Sequence, residues 1–128
     1  MRCLLDTHTL IWWMTLDPRL SESACAVIKE GHNASLVSAA SAWEIATKVR
    51  LGRLPAATDL VQNFAADLAR ERIEILAVTA EHAIRAGLLP GPHQDPFDRM
   101  LIAQALCENI PIVSNDRAFD AYGMHRIW

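Results

Sequence analysis

Four acidic residues stand where their carboxylates could meet and hold a cation. Asp6 and Asp116 each follow a short apolar run, while Glu44 and Asp98 fall in the first turns of two predicted helices. Carboxylates brought this close repel one another, so they need a cation unless they are protonated or neutralised by Arg or Lys. All-oxygen ligation suits Mg²⁺ or Mn²⁺ rather than zinc. Such ions hold phosphoryl oxygens and lower the pKa of bound water, so the four acids together predict metal-dependent phosphodiester chemistry.

Each of these acids also has an ordinary structural explanation. Asp6 and Asp116 could cap the helices that follow them, and Asp98 could simply lie in the first turn of its helix. Glu44 could reach back to the amide of Ser41 in a capping box. Taken singly, each acid favours the cap, because caps are far commoner than catalytic carboxylates. Only the four acids taken together favour a metal site.

An alternation of short strands and helices would bring the acids together. The predicted strands are 2–5, 35–37, 73–78, 112–114 and 125–128, and the predicted helices are 7–14, 21–30, 38–51, 59–70, 79–86, 96–108 and 116–121. This order is typical of an α/β fold with a mostly parallel central sheet and helices on both faces. Ligands of such sheets bind beyond the carboxyl ends of the strands, which is where Asp6 and Asp116 are expected.

Length and composition narrow the class of protein. The 128 residues predict a single domain, 1–128, and 52% hydrophobic with 21% charged residues excludes a disordered tail. A net charge of −3 argues against a passive nucleic-acid binder held by charge alone, but leaves room for an enzyme with a local acidic pocket. No apolar run is long enough for a membrane span, and the opening one is too short for a signal-peptide core, so we expect a cytoplasmic protein.

Cysteine and histidine do not predict a zinc site. The three cysteines are far apart, without a Cys-x-x-Cys pair, and the five histidines form no i,i+4 pair. We therefore interpret them as buried thiols and as ordinary surface or capping imidazoles.

The residues around the four acids carry a family resemblance. The segments are LLDTHTLIWW (4–13), VSAASAWEI (37–45), HQDPFDRMLIAQA (93–105) and IVSND (112–116). In this order they resemble the motifs of PIN-domain proteins, particularly the VapC-type toxins of prokaryotic toxin–antitoxin pairs. The likeness runs from residue 2 to residue 128. It implies a three-layer α/β/α PIN-like fold.

The resemblance also implies a site, a cofactor and partners. Asp6, Glu44, Asp98 and Asp116 would be the metal-site acids of a Mg²⁺- or Mn²⁺-dependent endoribonuclease, and Ser114 its supporting hydroxyl. The substrate would be RNA, cut to leave 5′-phosphate and 3′-hydroxyl ends. VapC-type chains pair with themselves and are masked by a VapB-type antitoxin, which commonly places a basic side chain in the acidic pocket. A homodimer and such an antitoxin are therefore the expected partners.

Several neighbouring side chains could support this site. We interpret Asp95 chiefly as the cap of the helix 96–108, with support of the metal as the alternative. Arg99 and Arg117 follow two of the acids, so they could hold substrate phosphates, balance the pocket or form surface ion pairs. Lys48 lies four residues after Glu44, a spacing that favours an ion pair between them.

Other functions fit the sequence less well. A haloacid-dehalogenase phosphatase wants an Asp where His8 stands, and a receiver domain wants a Lys at the end of a late strand, where Asn115 and Asp116 follow instead. The main alternative is a non-catalytic PIN-like module that binds RNA or protein without cutting.

Overall fold

A computed structural model describes all residues, 1–128. Its centre is a five-stranded sheet of β1 (Arg2–Leu5), β2 (Ala34–Ser38), β3 (Ile73–Leu76), β4 (Ile112–Val113) and β5 (Arg126–Ile127). The strands lie in the order β3-β2-β1-β4-β5, and every neighbouring pair is parallel. The predicted α/β class is confirmed, and the sheet expected to be mostly parallel is parallel throughout.

Seven α-helices connect the strands. They are α1 (Thr7–Met14), α2 (Glu22–Lys29), α3 (Ala39–Arg50), α4 (Thr58–Gln62), α5 (Phe64–Arg70), α6 (Ala80–Leu88) and α7 (Pro96–Glu108), with short 3₁₀ helices at Pro55–Ala57 and Arg117–Tyr122. None of these helices combines the length and the apolar character that a membrane span requires.

Two apolar clusters lie against opposite faces of the sheet, because successive side chains of a strand point to opposite sides. Leu5 of β1 belongs to the first cluster, with Leu10 of α1 and Ile45 of α3. Leu4 belongs to the second, with Ile102 of α7. Burial of each such side chain contributes roughly 1.5–3 kcal/mol. The predicted helix layers on both faces of the sheet are therefore present.

One predicted helix is divided in two. The segment 59–70 was expected to be a single helix capped by Thr58, but the backbone leaves the helical region at Asn63 (φ −130°, ψ 34°), between α4 and α5. Asn is a poor residue inside a helix and favours its ends. Thr58 caps nothing; its hydroxyl donates to the carbonyl of Pro55 at 2.9 Å.

The helix predicted to stop before Gly87 continues past it. Helix α6 ends at Leu88, so Gly87 lies within it. Gly costs a helix interior about 1 kcal/mol relative to Ala. Extensive packing of α6 on α7 offsets that cost.

The order of the strands creates the place where a site can form. The chain passes from β1 outward through β2 to β3, then returns to pair β4 with the other side of β1. Leu5 pairs with Val113, so the chain leaves β1 and β4 side by side at the carboxyl edge of the sheet. Such a change of direction opens a crevice beyond the strand ends, which is where ligands bind in parallel sheets.

Candidate metal centre

An open cavity of about 560 Å³ occupies this crevice. All four acids singled out from the sequence line it, together with Asp95. Its other lining residues are Thr7, His8, Trp12, Arg19, Lys48, Asn115, Arg117 and Phe119. The acids reach the cavity from four different elements, so the chain has brought together residues that are distant in sequence.

Asp6 is held in place by donors on both of its carboxylate oxygens. Its Oδ1 accepts the amide of Thr9 at 2.7 Å, which makes Asp6 the N-cap of α1, and its Oδ2 accepts the hydroxyl of Ser114. Only 6% of Asp6 is exposed. This burial raises the pKa of Asp6, although the hydrogen bonds from Ser114 and Thr9 oppose the effect. The cap and the candidate ligand are therefore the same residue.

Ser114 joins the first and last acids. While its hydroxyl donates to Asp6, its Oγ accepts the backbone amide of Asp116 at 3.0 Å. Ser114 is fully buried. The supporting hydroxyl expected from the sequence thus fixes the distance between the ends of β1 and β4.

Glu44 does not form the capping box that its spacing allowed. Helix α3 begins earlier, because Ser38 ends β2 and caps the helix through the amide of Ala40. Glu44 lies inside the helix, 4% exposed, and accepts the hydroxyl of Thr7 at 2.7 Å. Its other carboxylate oxygen pairs with Lys48, so the predicted i,i+4 ion pair is present. A buried carboxylate held between a hydroxyl and an ammonium is already oriented toward the cavity.

Asp98 lies in the first turn of α7 without an amide or hydroxyl donor on its carboxylate. Burial, followed by the negative charges of Asp95, Glu44, Asp6 and Asp116, raises the pKa of Asp98 to about 7. Its carboxylate receives no hydrogen bond from a backbone amide or a hydroxyl, although Asp95 caps the same helix by accepting the Phe97 and Asp98 amides at 2.8 and 3.2 Å. A divalent cation would remove the repulsion that keeps Asp98 partly protonated.

His93 is the site residue that the sequence analysis missed. His93, Asp98 and Asp116 each offer one ligand atom, and these three atoms lie within 4.8 Å of one another. Zinc-like histidine spacings do not point to His93, because it stands in the loop ahead of Asp95, the cap of α7. Its place in the same segment as Asp95 and Asp98 was the signal that could have identified it.

The two candidate arginines have different surroundings. Arg117 is exposed and lines the cavity, where its charge can reach a bound phosphate. Arg99 does not line the cavity; it donates to the carbonyls of Ala86 at 3.1 Å and His93 at 2.9 Å, and also to that of Leu89. The suggestion that Arg99 contacts substrate phosphate therefore lacks support, because its guanidinium is used to hold the loop before α7.

The donor set fits a hard divalent cation. Five carboxylates and three cationic side chains line the cavity. Of the cations, Lys48 is committed to Glu44 and Arg19 forms a bidentate pair with Asp17 outside the lining. The remaining excess of carboxylate oxygen is what Mg²⁺ or Mn²⁺ binds. Asp6, Glu44, Asp98 and Asp116 are the residues that would hold such an ion.

Comparison with known proteins agrees with this fold. The family model of the PIN domain matches residues 3–123, so the chain belongs to the PIN domain family. No curated protein matches the chain.

Several solved structures have a similar fold. One is VapBC2 from Rickettsia felis, solved with a DNA fragment from its promoter. The present chain superimposes on it with a TM-score of 0.69 and 18% identity, covering 98% of this chain and 97% of the other. FitAcB from Neisseria gonorrhoeae gives a TM-score of 0.63 at 18% identity, covering 97% of this chain and 95% of the other. VapBC-1 from nontypeable Haemophilus influenzae gives a TM-score of 0.61 at 16% identity, covering 98% of this chain and 96% of the other. At this level of identity the likeness shows the fold.

Proposed function

We propose that this protein is a metal-dependent endoribonuclease toxin of the VapC type, carried by one domain, 1–128. The observation that carries the proposal is the convergence of Asp6, Glu44, Asp98 and Asp116, from four elements, on one cavity at the switch point of the sheet. Membership of the PIN domain family and the VapBC and FitAcB neighbours support a nuclease toxin.

The chain's own side chains prepare the site for phosphodiester hydrolysis. When bound, a Mg²⁺ or Mn²⁺ ion supplies positive charge opposite the phosphoryl oxygens and makes water a better nucleophile. Thr9 and Ser114 fix the orientation of the Asp6 carboxylate, and Thr7 fixes that of Glu44. These hydrogen bonds exist before substrate arrives, so little reorganisation is needed during the reaction. Arg117, at the cavity wall, is placed to contact a phosphate of the RNA.

The same cavity supports the expected antitoxin. An antitoxin Arg that enters it would meet an excess of carboxylate oxygen, and Arg–carboxylate pairs are among the stronger hydrogen-bonded contacts. The neighbouring structures named VapBC and FitAcB support a VapB-type partner. We propose that inhibition comes from such a chain, and that addition of its Arg-bearing segment suppresses RNA cleavage.

We also propose that the protein forms a homodimer in the cytoplasm. An exposed apolar groove lies outside the acidic cavity and includes Trp43, Val78, Phe97 and Met100. Trp43 is 64% exposed, and its ring contacts Phe97 edge to face with centroids 4.8 Å apart. Exposed apolar surface of this kind suits a protein partner. Sedimentation of wild type and Trp43→Ser tests the dimer: loss of the dimer in the variant alone is expected.

The test of the nuclease is a map of new RNA 5′ ends across a whole transcriptome. Brief induction of the wild type should produce discrete new 5′-phosphate ends, and Asp98→Asn should produce none. Loss of metal-supported stabilisation of several kcal/mol corresponds to at least a hundredfold loss of rate. Asp59→Asn, on the distant helix α4, is the matched control and should cut like the wild type.

Cleavage by Asp98→Asn equal to that of the wild type would remove the basis of the proposal. RNA that binds to folded wild-type protein in Mn²⁺ without being cut would instead favour the non-catalytic PIN-like binding module.

A further inference from the structure

We propose that His93 contributes an imidazole nitrogen to the metal centre, and that this nitrogen makes the centre prefer Mn²⁺ over Mg²⁺. The inference rests on the proposed function, since it assumes that the four acids bind a divalent cation. It goes beyond that function by adding a ligand of a different chemical kind and by stating which ion the centre selects.

The Nε2 atom of His93 is buried beside the carboxylate of Asp98. His93 Nε2 is shielded from solvent and makes no hydrogen bond within the protein, although it lies 3.2 Å from Oδ2 of Asp98. A buried polar atom without a partner requires an explanation. Two ligands at right angles around an ion, with bonds of about 2.1 Å, are about 3 Å apart. The separation of Nε2 and Oδ2 is therefore the one that two adjacent ligands of a single ion need.

Asp116 offers a third ligand atom beside His93 and Asp98. A carboxylate oxygen of Asp116 lies within 4.8 Å of both an imidazole nitrogen of His93 and a carboxylate oxygen of Asp98. Asp98 and Asp116 also line the acidic cavity, where Asp6 and Glu44 supply further oxygen. His93 thus adds a nitrogen at one edge of an oxygen-rich site.

Backbone contacts hold the loop that carries His93, while the imidazole itself packs on the ring of Phe119 with centroids 6.0 Å apart. The amide of His93 donates to the hydroxyl of Tyr122 at 2.8 Å, and its carbonyl accepts Nη1 of Arg99 at 2.9 Å. Gly91 packs so closely on Tyr122 that a Cβ at this position would lie 2.7 Å from the ring. The contacts that hold the loop do not involve the imidazole, so substitution of His93 should leave the loop in place.

The chemistry of the two ions then predicts selectivity. Mg²⁺ is a hard cation that takes oxygen ligands and keeps several waters. Imidazole nitrogen is a softer donor than carboxylate oxygen and suits first-row transition metals. Mn²⁺ is the weakest binder of that series and shares with Mg²⁺ an affinity for oxygen, so we expect the added nitrogen to favour Mn²⁺ relative to Mg²⁺. A centre made of carboxylates alone would show a smaller difference between its affinities for Mn²⁺ and Mg²⁺.

The experiment measures metal binding without RNA. Wild type, His93→Gln, His8→Gln and Asp98→Asn are each loaded with Mn²⁺ alone and examined by pulsed electron paramagnetic resonance for ¹⁴N coupling to the ion. The same samples are titrated with Mg²⁺ to obtain the ratio of the two affinities. His8 is the matched control, because it lines the cavity but lies outside the His93, Asp98 and Asp116 group.

The expected result is ¹⁴N coupling in the wild type and in His8→Gln, and none in His93→Gln. Loss of a supporting group typically lowers metal affinity by 10–100-fold, so we expect Mn²⁺ affinity to fall at least tenfold in His93→Gln while Mg²⁺ affinity changes less. Wild-type protein that binds Mn²⁺ without ¹⁴N coupling would overturn the inference, whether or not the variant folds. Retained coupling in His93→Gln would also overturn it, and so would the absence of Mn²⁺ binding by the wild type.

A separate RNA cleavage assay on the same samples distinguishes the two proposals. Cleavage without ¹⁴N coupling refutes only the role of His93. Coupling without cleavage supports the role of His93 at the metal and refutes the nuclease.

Discussion

The acidic cavity has two regions that differ in how their charges are compensated. We call Asp6 and Glu44 the floor, and we call Asp98 and Asp116, together with the adjacent His93, the rim. Each floor residue is nearly fully buried, with donors from the protein on both of its carboxylate oxygens. In the rim, Asp98 receives no hydrogen bond from an amide or a hydroxyl, and burial together with neighbouring charge raises its pKa to about 7.

The difference shows that folding alone supplies the donors for the floor carboxylates, whereas a bound ligand must supply positive charge for the rim. The donors around the floor come from strand ends and helix starts, so they are in place as soon as the sheet forms. In the rim, neither Asp98 nor Asp116 forms an ion pair with Lys or Arg, and the basic side chain nearest to the Asp98 carboxylate is the imidazole of His93, at 3.2 Å. Repulsion between carboxylates lowers the stability of the folded state, and such repulsion is typical of sites where a bound ligand later relieves it. The rim should therefore respond to metal and pH, and the floor to removal of its donors.

The largest effect should come from metal. A divalent cation at about 100 times its Kd should stabilise the wild type by about 2.7 kcal/mol, because it binds the folded state and not the unfolded one. Urea unfolding with and without Mn²⁺ measures the difference. Asp98→Asn, which weakens the rim, should gain much less. Equal stabilisation of the two proteins would show that the rim does not bind the ion.

The next effect should be a dependence of stability on pH without metal. The pKa of Asp98 rises from its ordinary 3.8 to about 7 on folding. Between these values the folded state keeps a proton that the unfolded state loses, so stability falls as pH rises from about 4 to 7 and stays low above that. Each pH unit between the two values corresponds to about 1.4 kcal/mol.

Asp98→Asn should reduce this decline, and the raised pKa of the buried Asp6 should leave part of it in place. Because the side chain is 27% exposed and therefore screened, we expect the variant to be about 1–3 kcal/mol more stable than the wild type at pH 8 in chelator, and to lose that advantage near pH 4. Urea unfolding at several pH values measures both curves. Parallel curves for the two proteins would contradict the description of the rim.

A similar cost should follow from removal of a donor in the floor. Thr7→Val keeps the shape of the side chain but deprives the buried Glu44 of a hydroxyl at 2.7 Å, which should cost about 1–3 kcal/mol. Thr15→Val is the matched control, since its exposed hydroxyl donates only to a carbonyl of its own helix. Denaturant unfolding compares the two. If both variants lose the same amount, the floor does not depend on its donors.

The smallest effect should be that of Asp95→Asn, beside the rim. Asn caps a helix about as well as Asp, so the free energy of unfolding and the rate of RNA cleavage should stay near those of the wild type. Asp95→Ala should cost about 1 kcal/mol through loss of the cap. Lost cleavage in a stable Asp95→Asn protein would assign Asp95 to the metal centre.

Sequence reasoning succeeded where local chemistry was strong. Helix α7 has Pro at its first position and Asp95 as a cap, and its predicted bounds match the structure. The run 2–5 is apolar and ends in an acid that caps the next helix, so β1 and α1 were also predicted correctly. Helix α3 was predicted from residue 38 and begins there, with Ser38 as its cap, so the capping box that the spacing of Ser41 and Glu44 allowed does not form.

Long-range contacts account for what sequence reasoning missed. Arg99 follows an acid in the sequence, yet its guanidinium turns to three carbonyls on the other side of α7. His93 carries no zinc-like spacing, because its neighbours in the site are Asp98, five positions away, and Asp116, on the far side of β4. No local pattern encodes either arrangement.

By itself, the sequence predicted the alternation of strands and helices, the caps of α1 and α7 and the four acids that line the cavity, because these follow from short patterns of residues close together in the chain. Only the tertiary structure decided that both carboxylate oxygens of each floor residue would meet donors of the protein, while the Asp98 carboxylate in the rim would meet no amide or hydroxyl donor. That division depends on which oxygen each donor reaches once β1, β4, α3 and α7 meet, and such distances are set by packing of the whole sheet.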